Sequence, residues 1–133
     1  MKLQILTPDK SVFDDEVDGL LVPGSTGPFE VLKDHAPILS SLVAGELRVK
    51  IAHKENYFSI AGGFFEFHNN QAVILATAAE TPKEIDIKRM EAAKQKARLV
   101  LENPSEAILE KAEAKLAYAR AQARHKVSEK LKA

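Results

Sequence analysis

The stretch TPKEIDIKRM, residues 81–90, divides the chain into two parts with different hydrophobic patterns. Before it, short runs rich in β-branched and aromatic residues are separated by turn-forming residues, as expected of strands. After it, apolar residues recur at helical spacing. Thr81, Pro82 and Glu84 match a capping box with proline at the first helical position, so the sequence predicts that a helix begins here.

Six runs in the first part predict strands of a compact sandwich or barrel: LQILT, DGLLVP, ELRVKIA, YFSIAGG, FFEFH and AVILATA. In ELRVKI, Leu47, Val49 and Ile51 alternate with two charged side chains, which is typical of a strand with one solvated face. The segment HNNQ, residues 68–71, predicts a turn, and GSTGP, residues 24–28, predicts a loop.

Two helices are predicted in the second part. The segment NPSE, residues 103–106, repeats the capping pattern of residues 81–84, and its proline forces a break between the helices. Their short connection predicts an antiparallel hairpin. The predicted apolar stripe of the first helix contains Ile87, Met90, Ala93, Ala97 and Val100, and that of the second contains Ile108, Ala112, Leu116, Ala119, Ala123, Val127 and Leu131. Alanine buries little apolar area, so we expect the hairpin to be marginally docked on the rest of the chain.

The fold class predicted from these patterns is β + α, with an N-terminal β-sandwich or barrel followed by a C-terminal antiparallel two-helix hairpin. The predicted domains are residues 1–82 and residues 83–133. The first carries 6 basic and 11 acidic side chains, a balance of −5, and the second carries 13 basic and 8 acidic, a balance of +5. Opposite charges on the two parts favour their mutual attraction.

Several classes of function find no support in the sequence. The chain has no cysteine, which excludes disulfides and zinc–thiolate sites, and its 4 histidines lack metal-ligand spacing. For that reason we expect no metal site. Neither a nucleophile elbow nor a P-loop is present, so we also expect no catalysis by this chain alone. Glutamates interleave with the lysines of the helices and aromatic residues are scarce there, which argues against nucleic acid. The uncharged stretch between Glu66 and Glu80 is too short to span a bilayer, so any membrane link must pass through a partner.

Two pairs of charged residues in the helical part, one of opposite charges and one of like charges, each have two interpretations. Asp86 and Arg89, three residues apart, are either an ordinary helix-surface ion pair or half of a binding site. Arg120 and Arg124, four residues apart, project from nearly the same side of the second helix. A bound anion would relieve their repulsion, but neighbouring glutamates would also satisfy them, and spacing alone favours the glutamates.

Four sequence blocks follow one another in a characteristic order: DHAPIL (residues 34–39), AGGFFEF (61–67), VILATAAE (73–80) and IDIKR (85–89). Because of these blocks and their order, the chain resembles the epsilon subunit of the bacterial F-type ATP synthase, which is called delta in mitochondria. The resemblance covers nearly the whole length of the chain. The resemblance implies a β-sandwich on the rotor's central stalk, in contact with the gamma subunit and the c-ring. It also implies a helical hairpin that can extend along gamma toward the catalytic alpha/beta head and restrain ATP hydrolysis.

The same resemblance implies a non-catalytic subunit that couples c-ring rotation to gamma in a proton-translocating complex. It implies a peripheral position on the cytoplasmic face of the bacterial plasma membrane, through that complex. Two hypotheses from other classes remain beside it: a free-standing ATP-binding sensor, and an enzyme built on a β-scaffold, which lacks a nucleophile–base pair. Copurification with gamma distinguishes a stalk subunit from a free sensor.

A regulatory ATP site is a further implication of the resemblance, with no required cofactor. The positions that match the family's nucleotide motif are Glu80, Ile85, Asp86, Arg89, Arg120 and Arg124. Two positions depart from it. Met90 stands where the motif has alanine and crowds the adenine side, and Lys96 replaces an arginine, which loses the bidentate fork. We therefore expect weaker ATP binding than in a fully matching member.

The resemblance also assigns a contact with the c-ring and gamma. The chain has Gly27, Pro28, Phe29 and Glu30 where the family usually has Gly, Glu or Gln, Leu and Gly. Glu30 lies near the replaced acidic position, and His35 matches the family histidine at that edge. We therefore expect Glu30 and His35 in this contact, in altered detail; the alternative for His35 is an ordinary surface histidine.

Overall fold

The computed structural model describes residues 1–132, so Ala133, the last residue of the predicted hairpin domain, lies outside the described residues. The strands are β1 (Lys2–Leu6), β2 (Ser11–Glu16), β3 (Gly19–Val22), β4 (Phe29–Leu32), β5 (Ile38–Ile51), β6 (Lys54–His68), β7 (Gln71–Ala76) and β8 (Ala79–Glu80). The helices are α1 (Ile87–Glu102) and α2 (Ile108–Ser128), and short 3-10 turns cover Pro82–Glu84 and Glu129–Lys132. The predicted fold class, a β-sandwich followed by two helices, is confirmed.

The strands form one continuous hydrogen-bonded path in the order β2-β1-β7-β6-β5-β3-β4, with β8 paired to β6. The β1–β7 pair is parallel, whereas β5 and β6 pair antiparallel along nearly their whole length. Alternate side chains of these strands fill a common core, in which the largest fully buried side chains include Leu3, Ile5, Leu47, Val49, Ile60, Phe65, Phe67 and Ile74. The alternation predicted for ELRVKI is therefore confirmed, since its apolar side chains face this core.

The predicted strands YFSIAGG and FFEFH are parts of one strand, β6. Gly62 and Gly63 continue the strand instead of ending it, at φ angles of 112° and 151°. At Gly63 a side chain is excluded by the backbone of β7, because an added Cβ would overlap the carbonyl oxygen of Leu75. The prediction also missed β2, β4 and β8, which are short or rich in charge. The turn at residues 68–71 is confirmed, with Asn69 and Asn70 both at positive φ.

The predicted capping box at Thr81 and Glu84 is confirmed, but it begins a 3-10 turn, and the long first helix starts several residues later than predicted. The capping residues close the 3-10 turn: the Glu84 carboxylate accepts from the Thr81 N–H at 3.0 Å and from its hydroxyl at 2.8 Å. Ile85 then adopts an extended backbone, φ −74° and ψ 122°, which stops helical propagation. The helix α1 begins only at Ile87, with Asp86 as its N-cap.

The predicted cap of the second helix is also wrong. Asn103 is the C-cap of α1, and its Oδ1 accepts from the Ser105 N–H at 3.0 Å within the turn. The N-cap of α2 is Ala107, whose side chain has no capping oxygen. Asparagine and proline therefore shape the interhelical turn and do not begin the helix, because an asparagine side chain can close a turn as readily as a cap.

The predicted apolar stripes describe the buried faces of the helices only in part. Ile108 and Leu116 are 89% and 59% exposed, so the predicted stripe of α2 is wrong over its first half. The buried residues are Met90 and Ala97 on α1, and Ala114, Ala121, Ala123, Val127 and Ser128 on α2. Small side chains form the seam because they let the two helix backbones approach, which leaves the larger residues of α2 outside it.

The helices rest on the sandwich through a second, small apolar cluster. Ile85, Met90, Ala121 and Val127 pack together against Tyr57 of β6. The start of α1 thus meets the end of α2, which confirms the antiparallel hairpin. The cluster is much smaller than the sandwich core, so apolar packing contributes less to docking than to the sandwich itself.

Candidate functional site

A polar cavity of about 420 Å³, the inter-part cavity, lies where the end of the sandwich meets the two helices. Its lining residues are Glu80, Glu84, Asp86, Arg89, Met90, Ala93 and Arg124. They come from β8, the 3-10 turn, α1 and α2, so the cavity exists only while the hairpin is docked. Four of the six residues predicted for the nucleotide site thus lie around one space: Glu80, Asp86, Arg89 and Arg124.

Asp86 meets Arg89 through the backbone, and no side-chain ion pair joins them within residues 1–132. The Oδ1 atom of Asp86 accepts from the Arg89 N–H at 3.1 Å, which is an N-cap hydrogen bond. The interpretation of these two residues as a surface ion pair is therefore wrong. The cap fixes the Asp86 carboxylate at the cavity wall and leaves the Arg89 guanidinium available to a ligand.

The two arginines of α2 have different surroundings. The Nε atom of Arg124 donates to the Oε1 atom of Glu80 at 2.6 Å, and both side chains are about two-thirds buried, at 31% and 27% exposure. The glutamate interpretation thus holds for Arg124. Arg120 is exposed and is not among the residues that line the cavity. The two arginines do not form one anion site in the docked hairpin.

Ile85 and Met90 serve mainly as core residues. They are 6% and 3% exposed and belong to the cluster beneath the hairpin, although the edge of Met90 also reaches the inter-part cavity. Lys96, expected near the phosphates, instead lines a separate groove of about 480 Å³ between α1 and α2, beside Glu106, Glu110 and Glu113. In the docked hairpin Lys96 therefore lies outside the inter-part cavity.

Glu84, another carboxylate of the cavity, is held by the turn that it closes. Hydrogen bonds from the backbone and side chain of Thr81, with a smaller contribution from nearby Lys10, lower the pKa of Glu84 from its usual value of 4.5. The Lys10 Nζ atom lies 3.8 Å from Glu84 Oε2. The turn that leads into the hairpin is thus tied to the β1–β2 loop, and this tie is present when Glu84 is ionised.

The two residues predicted to contact the c-ring have different neighbours: Glu30 shares a surface cavity with Arg48, Lys50 and Glu55, whereas His35 stands beside Phe67. Glu30 is an exposed residue of β4, and His35 follows that strand in an exposed loop. The His35 ring stands edge-on to Phe67 with 6.2 Å between centroids, and its Nδ1 lies 2.8 Å from the Ala36 carbonyl oxygen. His35 is therefore held in a defined orientation at the surface.

A reciprocal pair of hydrogen bonds fixes this loop. Asn70 Oδ1 accepts from the Asp34 N–H at 2.6 Å, and Asn70 Nδ2 donates to Asp34 Oδ1 at 2.8 Å. Asp34 has a φ of 65°, a conformation that aspartate tolerates better than most residues. The loop that carries His35 is consequently anchored to the β6–β7 turn.

Sequence reasoning missed an uncovered apolar surface on the sandwich. Leu39 of β5, Phe64 of β6 and Leu75 of β7 are 79%, 60% and 52% exposed. Phe64 and Leu75 are direct partners in the ladder, and Leu39 lies on the neighbouring strand. We call these three residues the apolar sheet face. The doubly apolar pairs FF and IL in β6 and β7 were the available signal, because such strands have apolar residues on both faces.

Metal and membrane sites find no place in the described part of the chain. No group of three or more His, Asp or Glu side chains in residues 1–132 is arranged to hold a metal ion. Within the same residues, neither helix has the length and apolar character needed to cross a membrane.

Comparison with known sequences identifies related proteins. Residues 1–82 match the family model described as ATP synthase, Delta/Epsilon chain, beta-sandwich domain. An ATP synthase epsilon chain of Syntrophobacter fumaroxidans is 43% identical over 130 residues, which cover 98% of this chain and 96% of the relative. An ATP synthase epsilon chain of Dehalococcoides mccartyi is 39% identical over 130 residues, which cover 98% of this chain and 93% of the relative.

Two solved structures share the fold. A chain from the mitochondrial ATP synthase of Euglena gracilis, solved as OSCP/F1/c-ring, superposes with a TM-score of 0.81 at 21% identity, covering 93% of this chain and 78% of that one. A chain from the central stalk/c-ring of the Tetrahymena thermophila mitochondrial ATP synthase gives a TM-score of 0.66 at 16% identity, covering 96% of both chains. The arrangement of sandwich and helices is therefore shared across low sequence identity.

Proposed function

Since the chain belongs to the delta/epsilon family of ATP synthase subunits, we propose that it is a central-stalk rotor subunit of a proton-translocating F-type ATP synthase. In this role it links c-ring rotation to the gamma subunit and restrains ATP hydrolysis through its C-terminal helices. As an epsilon-type chain it is a non-catalytic subunit, and its contribution to the complex is mechanical and regulatory.

The apolar sheet face is the observation that carries the stalk role. Three large side chains stand exposed on three adjacent strands while the docked hairpin covers a different part of the sandwich. An apolar patch on a rigid sheet is typical of a protein-binding surface. We assign gamma as the partner of this face, and we assign Glu30 and His35 to the contact with the c-ring. The membrane association of the chain, at the cytoplasmic face of the bacterial plasma membrane, is then indirect.

A substitution on the apolar sheet face tests this assignment. Phe64→Glu should weaken gamma binding by about thirty-fold or more, since buried aromatic anchors of interfaces typically contribute 2 kcal/mol or more. The affinity of the purified full chain for gamma is the measurement. Leu109→Glu is the matched control, because Leu109 is 71% exposed at the start of α2 and lies outside this face. Equal binding by both variants would refute the assignment.

The regulatory role is supported by how the helices are held. The hairpin docks through a small apolar cluster and partly exposed ion pairs, which is the kind of contact that releases at modest free-energy cost. Once released, the basic helices can lie against acidic surfaces of the catalytic head. A rotary complex carrying the chain truncated after residue 82 should hydrolyse ATP faster and still synthesise it. Unchanged hydrolysis at low ATP would contradict the regulatory role.

A second candidate function, ATP sensing, is favoured by the inter-part cavity. The cavity joins both parts of the chain, so a nucleotide bound there would stabilise the docked hairpin. We propose ATP as a regulatory ligand without a magnesium requirement. The same cavity would serve a free-standing sensor, and copurification separates the two roles: a stalk subunit elutes with gamma, and a free sensor does not.

A further inference from the structure

A carboxylate is buried where the sandwich meets the C-terminal end of the chain. The side chain of Glu46, on β5, is 5% exposed. Its Oε1 atom accepts from Arg48 Nε at 2.6 Å, and this hydrogen bond raises the pKa of Arg48. Its Oε2 atom is buried and has no hydrogen-bond partner within the described residues. A buried carboxylate oxygen without a donor is rare in folded proteins, so a specific role is expected for it.

One lysine from the C-terminal turn lies over this oxygen. The Lys130 Nζ atom is 4.0 Å from Glu46 Oε2 and 4.7 Å from the centre of the Tyr57 ring. Its side chain is 31% exposed, so the ammonium is partly withdrawn from water. Lys130 thus faces a carboxylate and an aromatic ring of the sandwich, and both contacts exist only in the docked hairpin.

The aromatic side of this contact is fixed by its own hydrogen bond. The Tyr57 hydroxyl donates to Glu55 Oε2 at 2.7 Å, and this bond raises the pKa of Tyr57, so the ring stays neutral. Tyr57 also pairs with Arg48 across the β5–β6 ladder. The ring is therefore presented to Lys130 by rigid strands, as a cation–π contact requires.

We propose that Glu46, Tyr57 and Lys130 form a latch that holds the hairpin on the sandwich and sets the balance between its docked and released states. This proposal rests on the proposed regulatory role of the helices and identifies the contact that controls their docking. While Lys130 is in place, its charge offsets that of the buried Glu46. When Lys130 leaves, Glu46 keeps a single cationic partner, and its bare oxygen is satisfied only when release of the hairpin admits water.

The latch predicts that charge at position 130, and not net helix charge, controls docking. Lys130→Met should reduce the ratio of docked to released hairpin about ten-fold, a moderate value for a pair that is partly exposed. Lys130→Arg should retain most of the docking, because arginine keeps the charge and the stacking contact. Lys126→Met is the matched control: Lys126 is exposed one helical turn earlier and forms no ion pair within residues 1–132.

The full-length chain allows a direct measurement of docking. It contains no cysteine, so Asp9→Cys and Lys115→Cys, two exposed positions on the sandwich and on α2, provide sites for a fluorescent donor and acceptor. Transfer efficiency is followed in urea beside the amide NMR signals of β1 and β7. We expect the transfer efficiency of Lys130→Met to fall at a lower urea concentration than that of wild type, Lys130→Arg or Lys126→Met. At that concentration the NMR signals of β1 and β7 should be unchanged.

Two results would overturn the latch. One is an identical urea midpoint of energy transfer for Lys130→Met and Lys126→Met. The other is simultaneous loss of energy transfer and NMR signals in every variant, which would make the contact part of one cooperative fold. A double-mutant cycle adds a test of the partner: the effect of Lys130→Met should largely disappear in a Glu46→Gln background, and a full effect there would remove Glu46 from the latch. Should Glu46→Gln fail to fold, Tyr57→Leu takes its place in the cycle.

Failure of the latch and failure of the regulatory role are separable. The docking measurement uses the isolated chain and does not depend on hydrolysis. If Lys130→Met shifts docking but leaves hydrolysis by the assembled complex unchanged, the latch stands and the regulatory role falls. If docking does not shift, the latch falls whatever the complex does.

Discussion

Arg124 on α2 and Glu80 on β8 form a 2.6 Å ion pair across the wall of the inter-part cavity. The pair joins the helices to the last strand of the sandwich. It uses one of the five N–H donors of the Arg124 guanidinium. A phosphate group in this cavity could therefore bind the remaining donors of Arg124 while the pair with Glu80 stays intact.

We expect Arg124→Ala to weaken ATP binding by roughly ten-fold or more, because a charge-assisted hydrogen bond contributes about 1.5–3 kcal/mol. Arg120→Ala should have the smaller effect, since Arg120 is exposed and does not line the cavity in the docked hairpin. Calorimetric titration of the full chain, with and without magnesium, measures both. Absence of binding at millimolar ATP with the hairpin docked would remove the nucleotide site altogether.

Gly63→Ala should destabilise the sandwich by about 3 kcal/mol, because it combines an unfavourable positive φ with a clash against the β7 backbone. Thermal or urea unfolding of the full chain measures the change. Gly27→Ala is the matched control: Gly27 also has a positive φ, of 128°, but no atom other than those of its two chain neighbours lies within 4 Å of an added Cβ. We expect it to cost only about 1 kcal/mol. Equal losses would show that backbone strain alone determines the effect.

Glu110→Gln should stabilise the hairpin at neutral pH. A side-chain hydrogen bond with Glu106, together with its charge, raises the pKa of Glu110 above 4.5 in the folded chain. The ionised form is therefore disfavoured by folding, and the hairpin gains stability as the pH falls through this raised pKa. The substitution should raise the urea midpoint of the helices at pH 7 and remove that gain. Glu102→Gln, a control elsewhere on the hairpin, should keep the pH dependence of hairpin stability. If both variants lost this pH dependence, the effect would come from overall charge.

A fragment of residues 1–82 should fold and bind gamma without the helices. The main core draws its buried residues from β1 to β8, all of which end before residue 82. Circular dichroism and NMR dispersion of the fragment check its folding, and a pull-down with gamma checks its binding. Random-coil spectra would show that the hairpin is required for the sandwich to form.

The sandwich could be predicted because its signals are local. Period-two alternation in ELRVKI and the double asparagine at residues 69–70 each report directly on backbone geometry. The union of YFSIAGG and FFEFH into β6 could not be predicted, since a glycine pair is typical of turns as well as of bulges. The starts of α1 and α2 were predicted wrongly for a related reason, because the residues that begin helices also close tight turns.

The candidate site was predicted in composition and only partly in geometry. Helical spacing predicted that Arg120 and Arg124 project from nearly the same side of α2. The sequence could not show that Glu80 of β8 meets this side at Arg124, one turn beyond Arg120, which stays exposed. The Glu46–Lys130 contact joins residues 84 positions apart, which no local pattern could have indicated.

The antiparallel pair of β5 and β6 is unusually long, at 14 and 15 residues, or roughly 45 Å end to end. One half of this ribbon carries the apolar sheet face, and the other half carries Tyr57 and Glu46 beneath the hairpin. The ladder between the two strands has paired residues on both sides of Val43 and Gly62, so the halves are joined by main-chain hydrogen bonds as well as by the chain itself. A partner that turns the sandwich by its exposed face will therefore also turn the surface on which the hairpin docks.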